Sequence, residues 1–245
     1  MHGMKTCFCT LLIVTLVSAL PALPAAAMTF RTRTVTCPIT GKPFTATLQA
    51  SGTTFGVYLD MRPYGPIASP EPVAVCPDAS RFPVFKTLDA TERARVRQIV
   101  TTPAYKGLIA AGDQPYYVIA HVKRQLQYDP VEVAQDMVQA AWQAQPGSGQ
   151  HRRYLQEARM AFEAAAAAPA QTQAPALNAR YFQAELSRQL GEFDAALAVL
   201  DRWFPGGGTG QEAVGSAFLA QVRAAAVRRD AGPVLAVLPP GPAAQ

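Results

Sequence analysis

The chain of 245 residues carries 22 Lys and Arg against 17 Asp and Glu, a net charge of only +5. So mild an excess points away from nucleic acid and permits weak attraction to anionic surfaces or acidic partners. The arginine groups at Arg93, Arg95 and Arg97, at Arg152 and Arg153, and at Arg228 and Arg229 have no interleaved aromatics on which bases would stack, so they read as solvated helix faces.

In chain order, the first element is a targeting segment. Lys5 with no acid near it precedes an apolar run over 11–20, Pro21 and Pro24 break any helix, and Ala25, Ala26 and Ala27 supply the small residues a signal peptidase requires. This predicts a signal peptide over 1–27, cleaved after Ala27, and a periplasmic or secreted mature chain. The apolar run is about half the ~20 residues a retained anchor needs, and no later run is long enough to form a stable membrane span. Cys7 and Cys9 precede the run, so it is not a lipoprotein signal. Cleavage removes Lys5, lowering the net charge to about +4, and leaves Cys37 and Cys76 as the remaining cysteines. Two cysteines allow one pairing, and in an oxidising compartment they are a disulfide candidate.

Residues 28–86 are rich in Thr, Val, Phe, Tyr, Gly and Pro, with β-prone stretches at 32–36, 44–48 and 73–75 between turn signals. A module this small buries little core alone and needs a covalent staple and the neighbouring helices. From 87 to 205 the period is helical. Asp89 with Glu92 marks one start, followed by Val96, Ile99 and Val100 on one face. Asp129, Pro130 and Glu132 mark another, with Ala134, Met137, Val138, Ala141 and Trp142 recurring at helical spacing. Helices are predicted over 103–111, 115–127, 151–168, 177–190 and 193–204, with a turn at 147–149, a linker at 169–175 and a stop at the glycines 206–208. Residues 206–245 then give a terminal helix over 211–229 and a Pro-rich tail from Gly232, expected to be poorly ordered. The fold class is α+β, a small β-rich module followed by an all-helical region.

The stretch from Thr36 to Phe44, TCPITGKPF, resembles a zinc knuckle C-P-x-C-G-x-x-F with Thr40 at its second cysteine, and Cys76-Pro77-Asp78-Ala79-Ser80 resembles a second knuckle with Ala79 at that place. With Thr53 to Gly56, Asp60-Met61-Arg62-Pro63 and the helical stretch 184–196, this is similar to the bacterial family called domain of unknown function 2225 over most of 30–205. The resemblance implies a four-cysteine zinc ribbon ahead of helical repeats. Each knuckle here keeps one thiol, which is too few ligands for a structural zinc even with Asp78 nearby. The resemblance implies zinc and a ribbon that brings the knuckles together, whereas the single thiol kept in each knuckle predicts a Cys37–Cys76 disulfide in the metal's place, with no cofactor.

The pair 177–190 and 193–204 resembles a tetratricopeptide repeat, with Ala184 and Ala196 at its close-packing sites and Gly191 at its turn. On that register Asn178, Tyr181, Glu185 and Arg188 face a partner. A plain helical hairpin with solvent-facing polar residues fits the pattern as well, since one repeat gives no period to count.

No nucleophile elbow, metalloprotease helix, phosphate loop or dinucleotide fingerprint is present. The glycine-rich 206–210 lacks the preceding strand and following Lys of a phosphate loop, and His121 has no acid or cysteine at helical spacing. The chain therefore reads as a non-enzyme, an exported interaction protein binding a peptide or protein partner through the helical surface. The alternative is a thiol-redox or metal-binding envelope protein using Cys37 and Cys76. Redox pairs usually sit in C-x-x-C at a helix start, and these two are separated by 38 residues among strands.

Overall fold

A computed structural model describes residues 28–168, 173–205 and 213–237. The expected signal peptide, the glycine stop and the last eight residues lie outside the described residues. The fold is α+β: three two-stranded antiparallel ladders within residues 29–84, then eight helices among the described residues.

The Thr- and Val-rich hairpin β1 (Thr29–Thr36) and β2 (Pro43–Ser51) turns through the first knuckle, where Gly41 takes a φ of 72° that an L side chain rarely adopts. β3 (Gly56–Val57) pairs with β4 (Pro63–Tyr64), and β5 (Ala74–Val75) with β6 (Pro83–Val84). The last pairing folds the second knuckle back so that Cys76 meets Cys37. Their sulfurs are bonded, and their Cα atoms lie 5.6 Å apart, within the separation a disulfide spans.

The helices start where capping chemistry says they should. At α1 (Ala90–Ile99) the Asp89 carboxylate accepts from the Glu92 amide at 2.8 Å while Glu92 accepts from the Asp89 amide, a reciprocal box that satisfies two otherwise orphaned donors. Proline opens α2 (Pro103–Ala110), α3 (Pro115–Gln125) and α4 (Pro130–Gln143), where its missing N–H costs nothing. Ser148 caps α5 (Gly149–Ala167), and Gly191, at φ 80°, turns α6 (Gln173–Gln189) into α7 (Phe193–Trp203), with α8 (Ala213–Val227) last. From α3 to α8 each helix packs on the next, and α8 also reaches α6.

One apolar cluster joins Cys37, Cys76 and Phe82 of the β module to Leu88, Val96, Ile99, Val100, Tyr105, Val118 and Val122 of α1 to α3. The module thus shares its core with the helices. A second, larger cluster draws on α3 to α8, and Leu59, from the turn between β3 and β4, is its one fully buried contribution from the β module.

Two expectations are overturned. Residues 232–237 of the expected tail are held in place: the Leu59 amide donates to the Val234 carbonyl at 2.9 Å and the Ala236 amide to the Val57 carbonyl at 2.8 Å, so 234–236 lies antiparallel beside β3. Gln221 of α8 holds the same segment, accepting from the Val237 amide and donating to its carbonyl. The partner face of α6 is also not a surface. Asn178 is exposed, but Tyr181, Glu185 and Arg188 are buried, because α8 and the C-terminal segment close over the side that a lone hairpin would leave open.

Candidate functional site

The residues expected to face a partner hold the molecule together. Arg188 grips Glu185 with two parallel hydrogen bonds, Nε to Oε2 at 2.8 Å and Nη2 to Oε1 at 2.6 Å, and both side chains are fully buried. Its remaining nitrogen, Nη1, donates to the carbonyls of Asp230 and Gly232, the latter at 2.9 Å. The Tyr181 hydroxyl donates to the Leu59 carbonyl. One helix face therefore anchors both the β3–β4 hairpin and the C-terminal segment. Burial holds the Glu185 carboxyl above its usual value, and the Arg188 guanidinium offsets only part of that rise.

Where these segments meet, a cavity of about 380 Å³ opens to solvent. It is lined by Asp60 and Arg62 from the hairpin, by Trp142 near the end of α4, by His151, Arg152 and Leu155 in the first two turns of α5, by Gln189 and Leu190 at the end of α6, and by 231–233. The hairpin is tight, with Met61 at φ 65°, and Asp60 braces it by accepting from the Arg62 amide at 3.1 Å. The other Asp60 oxygen accepts from Trp142 Nε1 at 2.9 Å, which joins the hairpin to α4. Each oxygen of this buried carboxylate thus accepts one hydrogen bond.

The Arg62 guanidinium lies 4.5 Å over the Tyr58 ring, and its Nε is buried with no hydrogen-bond partner. Among the described residues no carboxylate pairs with Arg62 or Arg152. His151 is half-buried, and burial first, then the charge of Arg62, with a smaller push from Arg152, holds its imidazole below the usual histidine value against the opposing pull of Asp60. The cavity accordingly offers two unpaired guanidiniums, a neutral imidazole and an apolar wall of Trp142, Leu155 and Leu190.

The disulfide lies elsewhere, in the other core. Asp78 Oδ2 is 3.3 Å from Cys37 Sγ, and the two sulfurs and this carboxylate fall within 4.8 Å of one another. With the sulfurs bonded to each other, the cluster offers no thiolates to a metal. His121 sits half-buried beside Tyr105, with ring centroids 6.5 Å apart, and burial lowers its pKa.

Sequence reasoning passed over the cavity. Asp60 and Arg62 figured only in a resemblance motif, Trp142 only as an apolar position and Arg152 only as a solvated charge. The one local signal was the Asp60-x-Arg62 turn, whose carboxylate braces its own backbone. No family model, curated protein or solved structure matches the chain.

Proposed function

We propose that this chain is an exported, non-catalytic binding protein that takes a peptide or protein partner, and that recognition centres on the junction cavity. One observation carries the reading: two guanidiniums without carboxylate partners among the described residues line an open cavity, where their charge is offered to something outside the chain. Asp60, the acid of the lining, serves the fold: its oxygens accept from the Arg62 amide and from Trp142 Nε1. Export is supported by the tripartite N-terminus and by the buried Cys37–Cys76 bond.

The thiol alternative is the weaker reading on accessibility. Cys37 and Cys76 are 1% and 0% exposed, so a substrate disulfide has no route to either sulfur.

The test is site-specific photo-crosslinking in the native envelope. A photoreactive residue at exposed Gly147, on the cavity rim, should give a discrete adduct absent when it stands at exposed Thr45 on the hairpin. Charge reversal by Arg62→Glu with Arg152→Glu should abolish the adduct. No adduct above the Thr45 control would refute the reading, and N-terminal sequencing that begins at Met1 rather than near Met28 would refute export.

A further inference from the structure

The ligand chemistry of the cavity follows from its lining, and the inference rests on the reading that this cavity is where the partner binds. We propose that the cavity takes a monocarboxylate carried on an apolar group. Four features of the lining converge on that class.

The first is charge. Arg62 and Arg152 oppose Asp60, and His151 is neutral at pH 7, so the lining has a net charge matched by one negative charge. A dianion such as phosphate would meet the Asp60 carboxylate without a third cation to offset it. The second is geometry. Stacking on Tyr58 holds the Arg62 guanidinium by its face, so a planar acceptor meets it at its terminal Nη edge, the Nε being buried. The third is the wall of Trp142, Leu155 and Leu190, which rewards an apolar substituent beside the charged head. The fourth is Gln189, whose amide nitrogen is committed to Glu185 at 2.9 Å, which turns its carbonyl oxygen into an available acceptor for one N–H of the ligand.

This chemistry has two sources, the last residue of a polypeptide and a free organic acid. A cavity of about 380 Å³ is near the lower end of the range for small-ligand sites, so it admits a chain end or a small molecule in place of a strand running through. In either case the carboxylate sits near His151 and should raise its imidazole pKa, reversing the effect of Arg62.

The experiment titrates the mature, oxidised protein with N-acetyl-Gly-Gly tripeptides ending in Ala, Val, Leu, Ile, Met or Phe, each as the free acid and as the amide. Hexanoate, 3-phenylpropionate and inorganic phosphate are run in parallel, and the His151 ring resonances report binding and pKa. Carboxylates of at least one set should bind and raise the His151 pKa, with the corresponding amides at least tenfold weaker. Tighter binding by the tripeptide acids identifies a chain end, and tighter binding by the organic acids identifies a small molecule. Arg152→Gln, at an exposed position that folding does not need, should weaken binding several-fold, and Arg62→Gln should weaken it further. Acid and amide binding alike, phosphate binding tightest, no binding by any probe, or full binding by both variants would each overturn the carboxylate assignment. A Gly147 adduct that survives in the Arg62→Gln and Arg152→Gln proteins would overturn it while leaving the partner-binding reading in place.

Discussion

Breaking the Cys37–Cys76 bond tests how the β module is held. The bond closes a separation of 39 residues, and on the chain-entropy account such a loop stabilises the folded state by about 4 kcal/mol. For a chain of this size each kcal/mol moves the thermal midpoint by about 2–4 °C, so reduction should lower it by about 8–16 °C. Two perturbations separate the contributions. Reduced wild-type protein keeps both sulfurs in the cluster with Phe82, Val96 and Tyr105, so it loses only loop closure, with the Cys37 thiol then able to donate to Asp78 Oδ2. The Cys37→Ala, Cys76→Ala protein loses loop closure and the packing of two buried sulfurs, and should unfold a further ~1–2 kcal/mol more easily. Urea denaturation of the oxidised, reduced and double-Ala proteins, with thiol counting in denaturant, measures all three. An unchanged midpoint on reduction, or two free thiols in protein taken from its native compartment, would refute the reasoning.

The remaining predictions concern the junction. Arg188→Met leaves the Glu185 carboxylate buried without its cation and should cost roughly 3–5 kcal/mol by urea denaturation; the paired change Glu185→Leu, Arg188→Met should recover most of that loss while the amide of Ala236, bonded to Val57, exchanges faster. Gly65→Ala should destabilise by more than about 1 kcal/mol, because φ is 140° there and a Cβ would stand 2.4 Å from the Thr53 carbonyl oxygen; an unchanged melting curve would contradict it. His151 should titrate below the ordinary histidine value, and Arg62→Gln should raise its midpoint while leaving that of His121, which burial and Arg124 hold down, in place. The sign for stability follows: the folded state resists a proton that the unfolded chain accepts, so the His151 contribution is lost as pH falls through about 6.5 toward the folded value. His151→Asn should flatten the fall in melting midpoint between about pH 7 and 5.

What the sequence revealed was mostly local. The Asp89 and Glu92 box and the Asp129-Pro130 start write their helix ends within four residues, and α1 and α4 begin there. The pairing of two cysteines was legible because only one pairing exists. The fate of the α6 face was not legible, because helical periodicity says which residues share a side and not what will lie on it. Glu185 and Arg188 have the spacing of a solvated ion pair, and what closes over them is α8 and, more than forty positions beyond Arg188, the carbonyls of Asp230 and Gly232. The Pro-rich tail looked unstructured for the same reason. Its order comes from the backbone groups of Val57 and Leu59 and the side chain of Gln221, partners that composition does not name. The cavity was the least legible feature, since its lining comes from four stretches of chain with no shared period.

The buried Glu185–Arg188 pair connects the expected site to the proposed one. A pair taken out of water gains little net stability, and two apolar residues of similar size would pack as well. An apolar pair could not donate to the carbonyls of Asp230 and Gly232, the contacts that fix where the C-terminal segment leaves α8. That segment then forms one wall of the cavity through Ala231, Gly232 and Pro233, while Tyr181 on the same helix face anchors the hairpin carrying Asp60 and Arg62 through the Leu59 carbonyl. The polar face of α6 is therefore a positioning device. It fixes two segments distant in sequence so that the Arg62 guanidinium and the backbone of 231–233 line the same cavity as the start of α5, and its charges are directed at the protein's own chain, apart from the Arg62 and Arg152 guanidiniums on which the proposed function rests.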